Sequence, residues 1–161
     1  MAESGAGKTK MIKGFNPISK PIRAGRTIAI SGYFAPIHSG HINYIKAAKK
    51  LGDKLIVIVN NDYQLRKYKK RNYPIEDRIS VIRELRDVDM VVESVDSDSS
   101  VCKTLRIVKP DVFANGGDRH KDNIPEISVC EEIGADIVFG VGGEKTQSST
   151  NLLKNYENTS L

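Results

Sequence analysis

Short apolar segments that alternate with helical patterns constrain the fold of this chain more than any other feature of its sequence. Strands are predicted at 26–31, 54–60, 89–94, 111–115 and 135–140. A helical pattern follows each of them, at 41–52, 74–88, 98–110, 124–134 and 148–156. This alternation predicts an α/β fold, a Rossmann-like, doubly wound sheet of about five parallel strands with helices on both faces. Ligands bind beyond the carboxyl ends of the strands in such sheets, so the site is expected in the loops 32–40, 115–123 and 141–148.

The 161 residues are most simply one domain, which we place at 26–161. Residues 1–25 contain turn-prone pairs and are expected to form a flexible leader. The segment SGAGKTK (4–10) looks like the end of a P-loop but leaves no room for a strand before it, so we assign it to this leader. No apolar run approaches the ~20 residues that span a bilayer, and residues 1–13 lack a secretory signal. We expect a cytoplasmic protein with no membrane partner.

The charge distribution indicates an anionic ligand. Residues 1–80 carry a net charge of +11 and the remainder −6, which leaves +5 for the chain. Charge alone does not separate a small polyphosphate from a nucleic acid. The segment 61–73 is polar and basic, and its pattern leaves the backbone state open. Its most basic part, 64–71, offers few aromatic side chains for base stacking, such as Tyr68 and Tyr73, and the acidic second half would repel a long phosphate chain. No nucleic-acid partner is therefore expected.

The loop GYFAPIHSGH (32–41) holds two of the three histidines of the chain, His38 and His41. Gly32 allows a sharp turn or a close approach of the backbone to a ligand. His41 falls at or near the start of a helix, where N–H groups and the helix dipole favour anions, and both imidazoles can donate to phosphate oxygens. The pair therefore favours phosphate binding. A metal site, incidental loop polarity and a buried helix cap are the alternatives that the residues leave open.

Several motifs in order resemble those of one family. GYFAPIHSGH is similar to the Gly-x-Phe-Asp-x-x-His-x-Gly-His signature of the cytidylyltransferase-like nucleotidyltransferases. LRKYKKRNYPIEDRISVIREL, KPDVFANGGD and QSSTNLL resemble further segments of the family, which includes glycerol-3-phosphate cytidylyltransferase and heptose 1-phosphate adenylyltransferase. The likeness covers about 27–156.

The resemblance implies a nucleotidyltransferase that moves CMP or AMP from CTP or ATP, with Mg²⁺, to a small phosphorylated sugar or polyol and releases pyrophosphate. It implies catalytic roles for His38, His41 and Lys67, and a homodimer. Only some of the basic residues Lys67, Lys69, Lys70 and Arg71 can be in the site. The nucleotide-binding residues it implies are Gly32, Tyr33, Phe34, His38, Gly40, His41, Lys69, Arg78, Asn115, Gly116, Gly117, Asp118, Gln147, Ser148, Ser149 and Thr150, and Asp118 is also the implied metal ligand.

The sequence departs from the family pattern at two positions. Ala35 stands where the family usually has aspartate, and Gly143 stands where the cytidylyltransferases have arginine. The choice between CTP and ATP, and the identity of the acceptor, therefore stay open. A non-catalytic nucleotide-binding or regulatory module of the same fold is the alternative function.

Overall fold

The computed structural model describes residues 25–117, 124–143 and 149–159. The predicted leader, apart from Gly25, lies outside these residues. The strands are β1 (Thr27–Gly32), β2 (Lys54–Val59), β3 (Met90–Glu93), β4 (Val112–Ala114) and β5 (Asp136–Val138). The helices are α1 (Ser39–Lys49), α2 (Asp62–Gln64), α3 (Ile75–Arg83), α4 (Cys102–Val108), α5 (Glu126–Ile133) and α6 (Ser149–Thr159), and a π-helical segment (Leu65–Lys69) follows α2.

The five strands form one parallel sheet in the order β3-β2-β1-β4-β5. The chain runs from β1 outward to β3 and then returns to place β4 on the other side of β1. The direction of winding therefore reverses between β1 and β4, which is where a doubly wound sheet leaves a crevice for ligands. The predicted fold class is confirmed.

Residues of β1 that alternate along the strand pack against opposite layers of helices. Ile28 and Ile30 belong to one buried cluster with Ile45 of α1. Ala29 belongs to a second cluster, with Leu105 of α4. Because successive side chains of a strand point to opposite faces, the sheet lies between two apolar layers.

Aspartate side chains hold the amino ends of the strands. Asp111 Oδ2 accepts the backbone N–H of Thr27 at 2.9 Å, and Asp89 Oδ2 accepts that of Leu55 at 2.8 Å. Arg26, before β1, forms a buried ion pair with Asp136 at 3.3 Å. We call these residues the amino-end anchors. They fix the end of the sheet opposite to the predicted site.

The predicted helices are longer than the observed ones where local polar contacts replace the first or last turn. The helix predicted at 98–110 begins only at Cys102, because Asp98 Oδ1 accepts the N–H of Ser100 at 2.9 Å and closes a turn. In the segment 61–73, left open by the sequence pattern, the helical path ends at Lys70, whose φ is 55°. Within the described ranges, none of the helices has the length and apolar character to cross a membrane.

Candidate active site

A cavity of about 450 Å³ lies at the carboxyl ends of β1, β2 and β4. It is the crevice expected at the reversal of the strand order. Twelve of the predicted site residues line it: Gly32, Tyr33, Phe34, His38, Gly40, His41, Lys69, Asn115, Gly116, Gly117, Ser149 and Thr150. The structure thus brings together residues from four separate segments of the chain. Asp118, Gln147 and Ser148 lie outside the described residues, so their assigned contacts stay predictions.

The two histidines close the start of α1 as a reciprocal cap. Nδ1 of His38 accepts the backbone N–H of Gly40 at 3.1 Å, and Nδ1 of His41 accepts the backbone N–H of His38 at 3.1 Å. This arrangement resembles a capping box in which imidazoles replace the usual hydroxyl and carboxylate. It explains the spacing of three residues. The capping alternative raised by the sequence is therefore correct for Nδ1 of both residues, and the other ring nitrogen, Nε2, takes no part in the cap.

The cap also determines where each imidazole carries its hydrogen. A neutral imidazole has one N–H, and a nitrogen that accepts a hydrogen bond cannot carry it. Because Nδ1 accepts in both His38 and His41, the hydrogen lies on Nε2 in both. The rings stack with their centres 3.9 Å apart and their planes 23° apart. Two Nε2–H donors are thus held side by side at a helix N-terminus, where an anion is favoured.

Gly32 and Phe34 support the histidine pair from the side of the sheet. Phe34 is buried with a left-handed φ of 50°, and its ring centre lies 4.8 Å from that of His41. A Cβ at Gly32 would lie 2.9 Å from this ring. The need for glycine here comes first from the packing of Phe34, which the sequence pattern did not indicate.

The basic segment contributes to the cavity through Lys69, while Lys67 lies apart from the lining. Lys69 Nζ lies 5.2 Å from the centre of the Tyr33 ring. Lys67 Nζ lies 3.4 Å from the Tyr63 hydroxyl and 5.6 Å from the ring centres of Tyr63 and Tyr68. The hydrogen bond that Lys67 Nζ donates to the Tyr63 hydroxyl raises the pKa of Lys67 above its ordinary value. The catalytic role assigned to Lys67 stays a prediction.

Arg71 is a cavity residue that the sequence left among several basic candidates. Its Nη1 donates to the carbonyl of Ala35 at 3.1 Å, and its Nη2 donates to the hydroxyl of Thr150. Ser149 Oγ also donates to the carbonyl of Pro36 at 2.8 Å. Arg71 therefore joins the start of α6 to the histidine loop, and the two groups that accept its hydrogen bonds are neutral. In the described part of the chain no carboxylate forms an ion pair with Arg71, so its charge is available to a phosphate.

Arg78 lies beneath the cavity, outside its lining. Its side chain is 1% exposed and donates to the carbonyls of Tyr73, Tyr33 and Asn60 at 2.7–2.9 Å. It also pairs with Asp62 at 2.8 Å. The observed contacts tie the histidine loop, the end of β2 and the basic segment together. The predicted contact of Arg78 with a nucleotide stays a prediction.

Ser99 and Glu126 are among the residues of the cavity wall that sequence reasoning did not find. They follow β3 and β4 at some distance along the chain and belong to no motif. Only the proximity of the amino ends of α4 and α5 brings them to the site. The described residues contain no cluster of three or more side chains suited to hold a metal ion.

The fold and the site define an α/β domain in which imidazole, ammonium and guanidinium groups meet at the reversal of a parallel sheet. Residues 29–151 match the sequence profile described as cytidylyltransferase-like. The chain belongs to this family of nucleotidyltransferases, as the sequence motifs predicted.

Relatives and solved structures agree with this placement. The chain is 41% identical over 108 residues to an FAD synthase of Pyrococcus horikoshii, a match that covers 66% of this chain and 68% of the relative. It is 33% identical over 140 residues to the bifunctional protein HldE of Desulfatibacillum aliphaticivorans, covering 84% of this chain but only 28% of that protein. A crystal structure of a lipopolysaccharide core biosynthesis protein from Thermoplasma volcanium superposes with a TM-score of 0.62 at 29% identity, covering 76% of this chain and 98% of that one.

Proposed function

We propose that the protein transfers an adenylyl or cytidylyl group from ATP or CTP to the phosphate of a small acceptor, with release of pyrophosphate. The observation that carries this proposal is the pair of stacked imidazoles at the N-terminus of α1, in the lining of the cavity, whose Nδ1 atoms accept backbone N–H groups and whose Nε2 atoms carry the hydrogen. These donors suit the oxygens of an α-phosphate. Such preorganised donors stabilise charge that develops during transfer.

In the proposed reaction, an oxygen of the acceptor phosphate attacks the α-phosphorus in line, and the bond to the pyrophosphate breaks. His38 and His41 would donate to the α-phosphate oxygens, while Lys69 and Arg71 would hold the remaining phosphates. Positioning and charge stabilisation supply the catalysis, so no residue has to form a covalent bond. Mg²⁺ bound to the triphosphate would supply further charge neutralisation. Asp118 stays its predicted protein ligand, and a metal carried mainly by substrate phosphates fits a cavity without a metal cluster in its described lining.

ATP is the donor that the observations favour. The relative from Pyrococcus is named for a product, FAD, that contains an adenylyl group. Gly143, which lines the cavity, supplies no side chain where the resemblance would place an arginine in a cytidylyltransferase. The acceptor we propose is a phosphorylated sugar or polyol, as the motifs shared with the heptose enzymes imply. A homodimer and a cytoplasmic location stay predictions.

Pyrophosphate release in the presence of Mg²⁺ tests this function. ATP, CTP, GTP and UTP are combined with glycerol 3-phosphate, heptose 1-phosphate, ribitol phosphate, FMN, phosphocholine and phosphoethanolamine. We expect pyrophosphate to be released from ATP only when one of the phosphorylated acceptors that carry hydroxyl groups is present. Binding of a nucleotide by calorimetry without release for any acceptor would support the non-catalytic module instead. Absence of both binding and release would contradict the assignment of the histidine pair.

A comparison of two lysines tests which part of the basic segment serves the reaction. Replacing Lys69 by glutamine is expected to raise KM for the nucleotide or the acceptor by about tenfold or more, because a charged hydrogen bond to phosphate is lost. Lys67→Gln is the matched variant, two residues away. If the catalytic role that the resemblance implies for Lys67 is correct, the turnover number of Lys67→Gln falls by about tenfold or more. Wild-type kinetics for Lys67→Gln would limit its role to the surface contact with Tyr63 and Tyr68.

A further inference from the structure

Glu126 is a buried acidic residue on the cavity wall that the proposed phosphate chemistry does not use. It is the first residue of α5, and it is only 1% exposed. Ser99 and Val101 line the same cavity. Carboxyl groups are rarely buried unless they are paired, because transfer from water is costly. The position of Glu126 therefore requires an explanation.

The two carboxyl oxygens of Glu126 have different surroundings. Oε2 accepts the backbone N–H of Val101 at 2.9 Å, which joins α5 to the residue before α4. Oε1 is equally buried, and the protein atoms described here provide it with no hydrogen-bond partner. A buried acceptor left without a donor is costly, because it has given up its hydrogen bonds to water. Oε2 thus stabilises the packing of α5, while Oε1 is a hydrogen-bond acceptor without a donor in a residue that lines the cavity.

The chemistry of this oxygen limits what it can bind. A carboxyl oxygen accepts hydrogen bonds from neutral donors and repels phosphate groups, which the cationic groups of the cavity attract. Sugars and polyols offer hydroxyl groups as donors. Oε1 is covered before a substrate binds, and Ser99, an exposed residue, lines the same cavity as Glu126.

We propose that Glu126 determines substrate specificity by accepting, at Oε1, a hydrogen bond from a hydroxyl group of a substrate. This inference rests on the proposed function. Two substrates carry such a group: the ribose of the nucleotide and the sugar or polyol of the acceptor. The hydrogen bond is the same in either case, and the experiment assigns it to one of them.

Glu126→Gln tests the inference with little change in shape. The carbonyl oxygen of glutamine keeps the contact with the N–H of Val101, while its NH₂ group replaces Oε1, so an acceptor becomes a donor. We expect an unchanged unfolding temperature and a loss of about tenfold or more in affinity for the substrate that carries the hydroxyl group. Glu132→Gln is the control, because Glu132 lies on the same helix but pairs with Arg106 at the surface.

Two measurements locate the hydroxyl group. The Kd of Mg-ATP without acceptor is measured by calorimetry, and KM is measured for the acceptor that supports pyrophosphate release. A weaker Kd assigns the contact to the ribose, and a raised acceptor KM with an unchanged Kd assigns it to the acceptor. Values within twofold of the wild type in both would overturn the inference.

Deoxy analogues give a second test that does not depend on the variant folding. The wild-type protein is expected to bind either 2′-deoxy- or 3′-deoxy-ATP, or a deoxy form of the acceptor, about tenfold more weakly than the parent compound. Glu126→Gln should lose this discrimination. Equal affinity of the wild type for parent and deoxy compounds would overturn the inference. Wild-type protein that neither binds nucleotide nor releases pyrophosphate would instead overturn the proposed function, and this inference with it.

Discussion

Replacing His41 by alanine is expected to lower the turnover number by about a hundredfold or more. The change removes one of the two Nε2–H donors, and the loss of a single preorganised donor has an effect of about this size in other enzymes. It also removes the acceptor for the N–H of His38 and the ring that stacks on His38. The rate of pyrophosphate release at saturating substrate measures the effect.

His41→Asn separates the chemical role of this residue from its role in the cap. The side-chain oxygen of asparagine can accept the N–H of His38, as Nδ1 does, but asparagine has no donor at the position of Nε2. We expect thermal stability closer to the wild type than that of His41→Ala, with turnover still low. Turnover restored by asparagine would show that only the cap matters and would place the reacting phosphate elsewhere.

Replacing Arg78 by methionine is expected to lower the free energy of unfolding by about 3 kcal/mol or more. Removal of a buried charged group from its partners costs about 3–5 kcal/mol, because the remaining groups lose their hydrogen bonds. Three backbone carbonyls and Asp62 would lose their donors here. Urea denaturation of both proteins measures the difference.

Arg83→Met is the matched control for this variant. Arg83 is an exposed residue of the same helix, α3, and its replacement is expected to change stability by no more than about 0.5 kcal/mol. Arg78→Lys provides a second comparison, because lysine keeps the charge but lacks the forked set of donors. If Arg78→Met folded with wild-type stability but bound no nucleotide, the contact predicted from the sequence would be favoured over the scaffold role.

The fold was predictable because its signal is local. Each strand is a short apolar run, and each helix repeats its apolar residues with helical spacing, so the order of elements follows from the sequence. The ends of the helices were less predictable. The side chain of Asp98 accepts the backbone N–H of Ser100 and so competes with the first turn of the helix. A contact of this kind leaves no repeating pattern in the sequence.

The distant segments of the site were predictable through the family resemblance, whereas the residues by themselves indicated a site most directly at the histidine pair. His38 and His41 cap the same helix end, so their spacing of three residues indicates that the two side chains lie together. Lys67 and Lys69 share a basic run, and residues two positions apart on a helical segment do not face the same way. The motif therefore could not separate the lysine that lines the cavity from the one beside Tyr63. Glu126 reaches the cavity only through the packing of α5 against the segment before α4, which no local pattern encodes.

The amino-end anchors have a consequence for how such a domain can acquire new substrates. Asp111, Asp89 and the pair Arg26–Asp136 stabilise the end of the sheet that is remote from the cavity. The opposite end is then free to carry loops chosen for binding. Grafting the loops 115–123 and 141–148 from a relative with another product should therefore change the acceptor while the domain still folds. Substitutions that change stability and substitutions that change substrate choice would then lie at opposite ends of the same sheet.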